Sequence, residues 1–125
     1  MNIKISAAEL EVMRLLWRED KALSYAEIRE ELESKTEWNK STIQTLVGRL
    51  RNKGIINAQK HYVTLYSANI TEDEYIQSEG KHFIKRLFNG SAKKMVSALC
   101  KSGDLSEADI DELKNYFRMG ENKSE

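Results

Sequence analysis

Apolar residues recur at helical spacing along most of the chain. Leu10, Met13, Leu16 and Trp17, with Val12 beside them, form one stripe, and Tyr25, Ile28 and Leu32 form a second. Ile43, Leu46, Val47 and Leu50 form a third, at i, i+3, i+4 and i+7. Such spacing gathers side chains on one side of an α-helix, so each stripe predicts a helix with one buried face. The first two helices open with capping boxes, Ser6 with Glu9 and Ser24 with Glu27, in which hydroxyl and carboxylate serve each other's backbone N–H. The third can be capped by Asn39 or Ser41 and ends at Gly54, a residue free to leave the helix through a left-handed turn. Beyond Gly54 the period changes. Residues 55–60 and 62–67 are β-branched and aromatic runs with a very short turn near His61, which predicts a hairpin. Helix, helix, turn, helix, hairpin is the order of a winged helix-turn-helix, here over residues 1–70.

The second half is helical again. Thr71 with Glu74 opens a helix carrying Tyr75, Ile76, Phe83, Ile84, Leu87 and Phe88, which stops at Asn89-Gly90. Ser91 opens the next, with Met95, Val96 and Leu99, and Ser106 with Asp109 opens the last, with Ile110, Leu113, Tyr116 and Phe117. Three short amphipathic helices over residues 71–119 bury too little surface to stand alone. They are therefore expected to pair with a second copy through Phe83, Leu87, Phe88, Met95, Leu99, Ile110, Leu113 and Phe117. Residues 120–125 read as a disordered tail. The fold class is mostly α with one small β-hairpin.

Charge changes this picture. The net charge is zero, yet residues 1–70 carry eleven Lys/Arg and nine Asp/Glu, and the remainder reverses that balance. Between Trp38 and Thr71 there is no carboxylate, while Lys40, Arg49, Arg51, Lys53 and Lys60 all fall there. A contiguous acid-free region points to an acidic partner, of which a phosphate backbone is the commonest. Opposite the apolar stripe of the third helix stand Ser41, Gln44, Thr45, Gly48 and Asn52, flanked by Thr42 and Arg49. Short hydroxyls and amides can bond base edges in a major groove. The base-reading candidates are thus Lys40, Ser41, Thr42, Gln44, Thr45 and Arg49, and the backbone and wing candidates Trp38, Arg51, Lys53, Lys60, His61 and Tyr62. The bland alternative is a solvated polar face with a tolerated glycine, at a cost of ~1 kcal/mol relative to Ala. An acid-free face also fits a winged-helix module docking an acidic protein, or an architectural binder indifferent to sequence.

Other classes are excluded. No phosphate-binding glycine loop, His/Cys cluster or nucleophile motif is present, so an enzyme is not expected, and neither is a cofactor. His82 stands one turn from Glu79, but two ligands do not make a metal site. No apolar run approaches membrane-spanning length, and the N-terminus runs directly into a helix without a signal-peptide pattern. The single Cys100 rules out an intrachain disulfide, fits a reducing cytoplasm, and reads as a buried structural thiol.

Several spaced motifs resemble a known family. I-S-A-A-E-L-E-V-M-R-L-L-W at 5–17, T-E-W-N-K-S-T-I-Q-T-L-V-G-R-L at 36–50, K-G-I-I at 53–56, L-F-N-G-S at 87–91 and D-L-S-E-A-D-I-D-E-L at 104–113 are similar to the bacterial penicillinase-repressor (BlaI/MecI type) family. The resemblance implies a transcriptional repressor that binds a double-stranded, dyad-symmetric operator as a homodimer, through an N-terminal winged helix and a C-terminal helical dimerisation region. It also implies, for the penicillinase branch, release by a regulatory protease at an Asn–Phe bond. Ala98–Leu99 stands at those positions, so this mode does not carry over. A copper-responsive branch uses several clustered cysteines, whereas Cys100 is alone. Gln44 occupies a place where the family often has Arg, and the wing turn is short for the family, so the operator is expected to differ.

Overall fold

The computed structural model describes residues 3–123, with side chains through Asn115. The chain forms two compact units, Met1–Glu79 and Gly80–Glu125.

In the first unit, α1 (Ala7–Glu19), α2 (Tyr25–Lys35) and α3 (Lys40–Asn52) enclose one core. Both N-terminal capping boxes form, with Ser6 and Ser24 accepting from the N–H groups of Glu9 and Glu27 at 3.1 Å each. Asn39, not Ser41, caps α3, its side chain accepting from the Thr42 N–H at 2.9 Å. Gly54 follows the helix with φ +75°, the conformation expected there. The three stripes meet as expected: Val12, Met13, Leu16, Ile28, Leu32, Ile43, Leu46, Val47 and Leu50 are all buried. Leu15 joins them, whereas Leu10 and Trp17 are half-buried. Each buried Leu or Ile contributes roughly 1.5–3 kcal/mol relative to exposure, so the core is held by many comparable contributions. Trp17 turns its polar edge to the Ile70 carbonyl, with Nε1 donating at 2.9 Å, and its ring meets Tyr75 at a centroid distance of 5.8 Å.

A third strand joins the hairpin. β1 (Leu23–Ser24), β2 (Ile56–Lys60) and β3 (Thr64–Ala68) form an antiparallel sheet in the order β1-β3-β2. Ile56 pairs with Ala68 and Lys60 with Thr64, which leaves His61, Tyr62 and Val63 as the hairpin tip. Tyr62 and Val63 are therefore loop residues, where the runs of β-formers placed them in a strand. Pairing of Leu23 with Tyr66 adds a second constraint on that register.

Helix α4 (Glu72–Phe88) begins in the first unit, with the Thr71–Glu74 box formed at 3.0 and 3.2 Å. It ends before Asn89 and Gly90, at φ +52° and +85°. In the second unit α5 (Ala92–Ser102) is capped by Ser91, and α6 begins at Glu107 after the Ser106–Asp109 box. The helix α6 (Glu107–Lys123) continues past Gly120, so the expected tail is helical as far as it is described, and residues 124 and 125 lie outside the described residues. Among the described side chains of residues 80–115 none is buried. Cys100 is exposed rather than buried.

Candidate nucleic-acid interface

The turn between α2 and α3 is fixed by Thr36. Its hydroxyl donates to the Leu32 carbonyl at 2.7 Å and accepts from the Trp38 N–H at 3.1 Å. Trp38 is half-buried and packs on the core, so its ring supports the turn instead of standing free for a phosphate. From this turn α3 presents Lys40, Ser41, Thr42, Gln44, Thr45 and Arg49, all exposed, while its opposite face is sealed in the core. The Thr45 hydroxyl donates to the Ser41 carbonyl at 2.9 Å. With its proton so used, its oxygen remains an acceptor, suited to an exocyclic amino group. A Cβ built on Gly48 would meet nothing within 4 Å, so no neighbour inside the fold requires glycine there.

The cations of the three helices differ in their partners, while Lys4 and Lys21 in the connecting segments are exposed and, among the described residues, without an ion pair. Arg14, Arg18, Arg29 and Lys35, on α1 and α2, pair with Glu11, Glu19, Glu31 and Glu33 at 2.7–3.5 Å. Among the described residues, Lys40, Arg49, Arg51 and Lys60 make no ion pair and are exposed. At the hairpin tip His61 is exposed and Tyr62 fully so.

Lys53 departs from the expected set. Its ammonium donates to Glu9 Oε1 at 2.8 Å, Glu9 Oε2 at 2.9 Å and the Lys4 carbonyl at 3.1 Å. Three protons meet three protein acceptors, so the Lys53 ammonium is engaged within the fold. Burial alone would push the Glu9 carboxyl up, but the bonds from Lys53 and Ser6 outweigh it and hold the group below the usual glutamate range. At the other end of α3 the Tyr25 hydroxyl donates to the Lys40 carbonyl at 2.8 Å. Burial raises the pKa of that phenol, which keeps its proton available as a donor. The sequence assigned Glu9 to a cap and Tyr25 to the core. Nothing local marks either as a support for α3, because their partners lie 44 and 15 residues away.

The family model for the penicillinase repressor matches residues 5–118. The chain belongs to the penicillinase repressor family. It is 35% identical over 121 residues to the penicillinase repressor of Bacillus licheniformis, a match covering 96% of this chain and 94% of that one. It is 34% identical over 115 residues to the methicillin resistance regulatory protein MecI of Staphylococcus aureus strain N315, covering 91% and 93%. Among solved structures it is similar to the monomeric form of Bacillus licheniformis BlaI in complex with the blaP half-operator. That match has a TM-score of 0.54 and 39% identity, and covers 61% of this chain and 93% of that chain. Membership agrees with the arrangement found here, a winged helix with a sealed core and an exposed, acid-free third helix.

Of the residues expected to pair two copies, Phe83 and Leu87 are exposed, and Phe88, Met95, Leu99, Ile110 and Leu113 are half-buried. Phe83 and Phe88 contact edge to face at 5.9 Å. The side chain of Phe117 lies outside the described residues. Ala98 and Leu99 sit on α5, the former exposed.

Proposed function

We propose that this chain is a transcriptional repressor that binds a dyad-symmetric operator as a homodimer, with residues 1–70 as the DNA-binding domain and residues 71–119 as the dimerisation region. The observation that carries the reading is the division of charge. Cations on α1 and α2 are neutralised by neighbouring acids, whereas Lys40, Arg49, Arg51 and Lys60 around α3 and the hairpin are not. A partner rich in negative charge supplies what the fold withholds. Gln44 and Thr45, with Ser41 and Thr42, would reach base edges in the major groove, while Arg51, Lys60, His61 and Tyr62 would meet backbone and minor groove. Lys53 and Trp38 leave the contact set for the reasons given above. The relative solved in complex with a half-operator supports the same mode.

Dimerisation is supported by the absence of any buried side chain among residues 80–115, which leaves Phe83 and Leu87 to be covered by a second copy. Two linked winged helices would span half-sites about 34 Å apart, or a multiple of that. Occupied, the operator is closed to polymerase. Release by cleavage at an Asn–Phe bond is no part of the proposal, because Ala98–Leu99 stands there.

The test is a binding selection of the full-length protein on fragmented DNA of its source genome. Enrichment of a dyad-symmetric site is expected, with affinity falling linearly in log salt at a slope of several phosphates. Equal recovery of all fragments would leave an architectural binder, and no recovery at low salt would favour the protein-docking module.

A further inference from the structure

Glu9 is the one buried charged residue among those described, at 2% exposure. Its capping role does not demand burial. The same box is made by Glu27, Glu74 and Asp109, all of them exposed. What sets Glu9 apart is Lys53, the C-cap residue of α3, whose ammonium grips both carboxylate oxygens and the Lys4 carbonyl. The start of α1 is thereby tied to the end of α3, as the Tyr25 hydroxyl ties the start of α3 at Lys40.

We infer that Glu9 is a positioning residue for operator reading, acting through Lys53 to fix the C-terminal end of α3; this rests on the DNA-binding role proposed above. A carboxylate so buried cannot itself touch DNA. Its effect comes from what each kind of contact tolerates. Phosphate contacts are made by long, flexible cations that can follow a small displacement of the helix. Hydrogen bonds to base edges weaken steeply once distance and angle depart from their narrow optimum. Loosening one end of α3 therefore removes sequence discrimination while leaving charge attraction intact.

Full-length protein is titrated, across about 50–200 mM salt, with two duplexes of equal length. One is the dyad site recovered in the selection above and the other its scrambled sequence. Lys53→Met and Glu9→Gln are each expected to weaken binding to the dyad duplex about tenfold, and Lys53→Met to leave the scrambled duplex and the salt slope unchanged. The double variant should lose no more than either single one, because both act on the same tie. Arg51→Met, by contrast, removes one phosphate contact per protomer and should shrink the slope of the dimer by about 1.8 on both duplexes. Glu9→Gln keeps an oxygen for the Ser6 N–H and carries the test should Lys53→Met fail to fold, as judged by circular dichroism.

The inference is overturned if Lys53→Met behaves like Arg51→Met, if either folded single variant binds the dyad duplex as the unaltered protein does, or if the two losses multiply. An unaltered protein with no preference between the duplexes would instead remove the DNA-reading role itself.

Discussion

Gly48 lies in the middle of α3 with open space where a side chain would be. Gly48→Ala should therefore raise the unfolding midpoint, by roughly 1 kcal/mol of stability, while weakening the dyad site if DNA backbone approaches there. A variant both more stable and equally tight would show that nothing approaches Gly48. Gln44→Ala and Thr45→Ala should each cost about 1–3 kcal/mol on the best site and relax preference at one base pair. Equal loss on every sequence would instead make them phosphate contacts. Glu9 adds a pH dependence. Its folded pKa lies below the ordinary value, so its contribution to stability is complete above that ordinary value and disappears as pH falls through the folded one. Urea unfolding should thus show stability falling on the acid side, and Glu9→Gln should flatten part of that fall. An unchanged acid limb would refute the assignment. The exposed polar face of α3 was legible from its spacing alone, since a helical face is a local property. Lys53 was not, because an exposed-looking cation in a basic run gives no sign of a carboxylate 44 residues earlier.

Each helix of the first unit carries its own start signal and one apolar stripe, and these local choices agree with the final packing. Asn39→Ala removes the side chain that serves the Thr42 N–H and should cost about 1 kcal/mol of stability. Leu50→Ala, at a site with 0% exposure, should cost about 2–5 kcal/mol through the cavity it leaves. Thermal unfolding measures both, and a Leu50→Ala loss no larger than that of Asn39→Ala would contradict the sealed core. The strands were less legible than the helices. β1 is only Leu23 and Ser24, too short for any period, and it exists because β3 offers an edge beside it. The hairpin was foreseen but its tip was displaced, since Tyr62 and Val63 favour strands by composition while the Ile56–Ala68 register sets them in the turn.

At the scale of the whole molecule, the second unit has apolar residues none of which is buried among the described side chains of residues 80–115. Leu87 is 61% exposed, so Leu87→Asp places a charge where the single chain buries nothing. Sedimentation velocity should then report monomers, with operator affinity reduced by about two to four orders of magnitude as the linkage of half-sites is lost. An unchanged sedimentation coefficient would refute the pairing surface. Leu113→Asp, on α6, should act in the same direction. That the region is helical followed from three capped apolar stripes in some fifty residues, and the same stripes are the ground for proposing a partner. Cys100 followed the opposite course, because a thiol common in cores is exposed on a helix with no buried residue of its own.

Capping, apolar period and the placing of charge are written within a turn or two of chain, and so the sequence by itself determined the helices, their buried faces, the acid-free segment and the family. The β1 edge, the hairpin register, the occupation of Lys53 by Glu9 and the hold of Tyr25 on α3 are relations between residues far apart in sequence. Only the tertiary structure decided them. A local pattern states what a residue can do, and packing selects which of its possible partners comes within bonding distance.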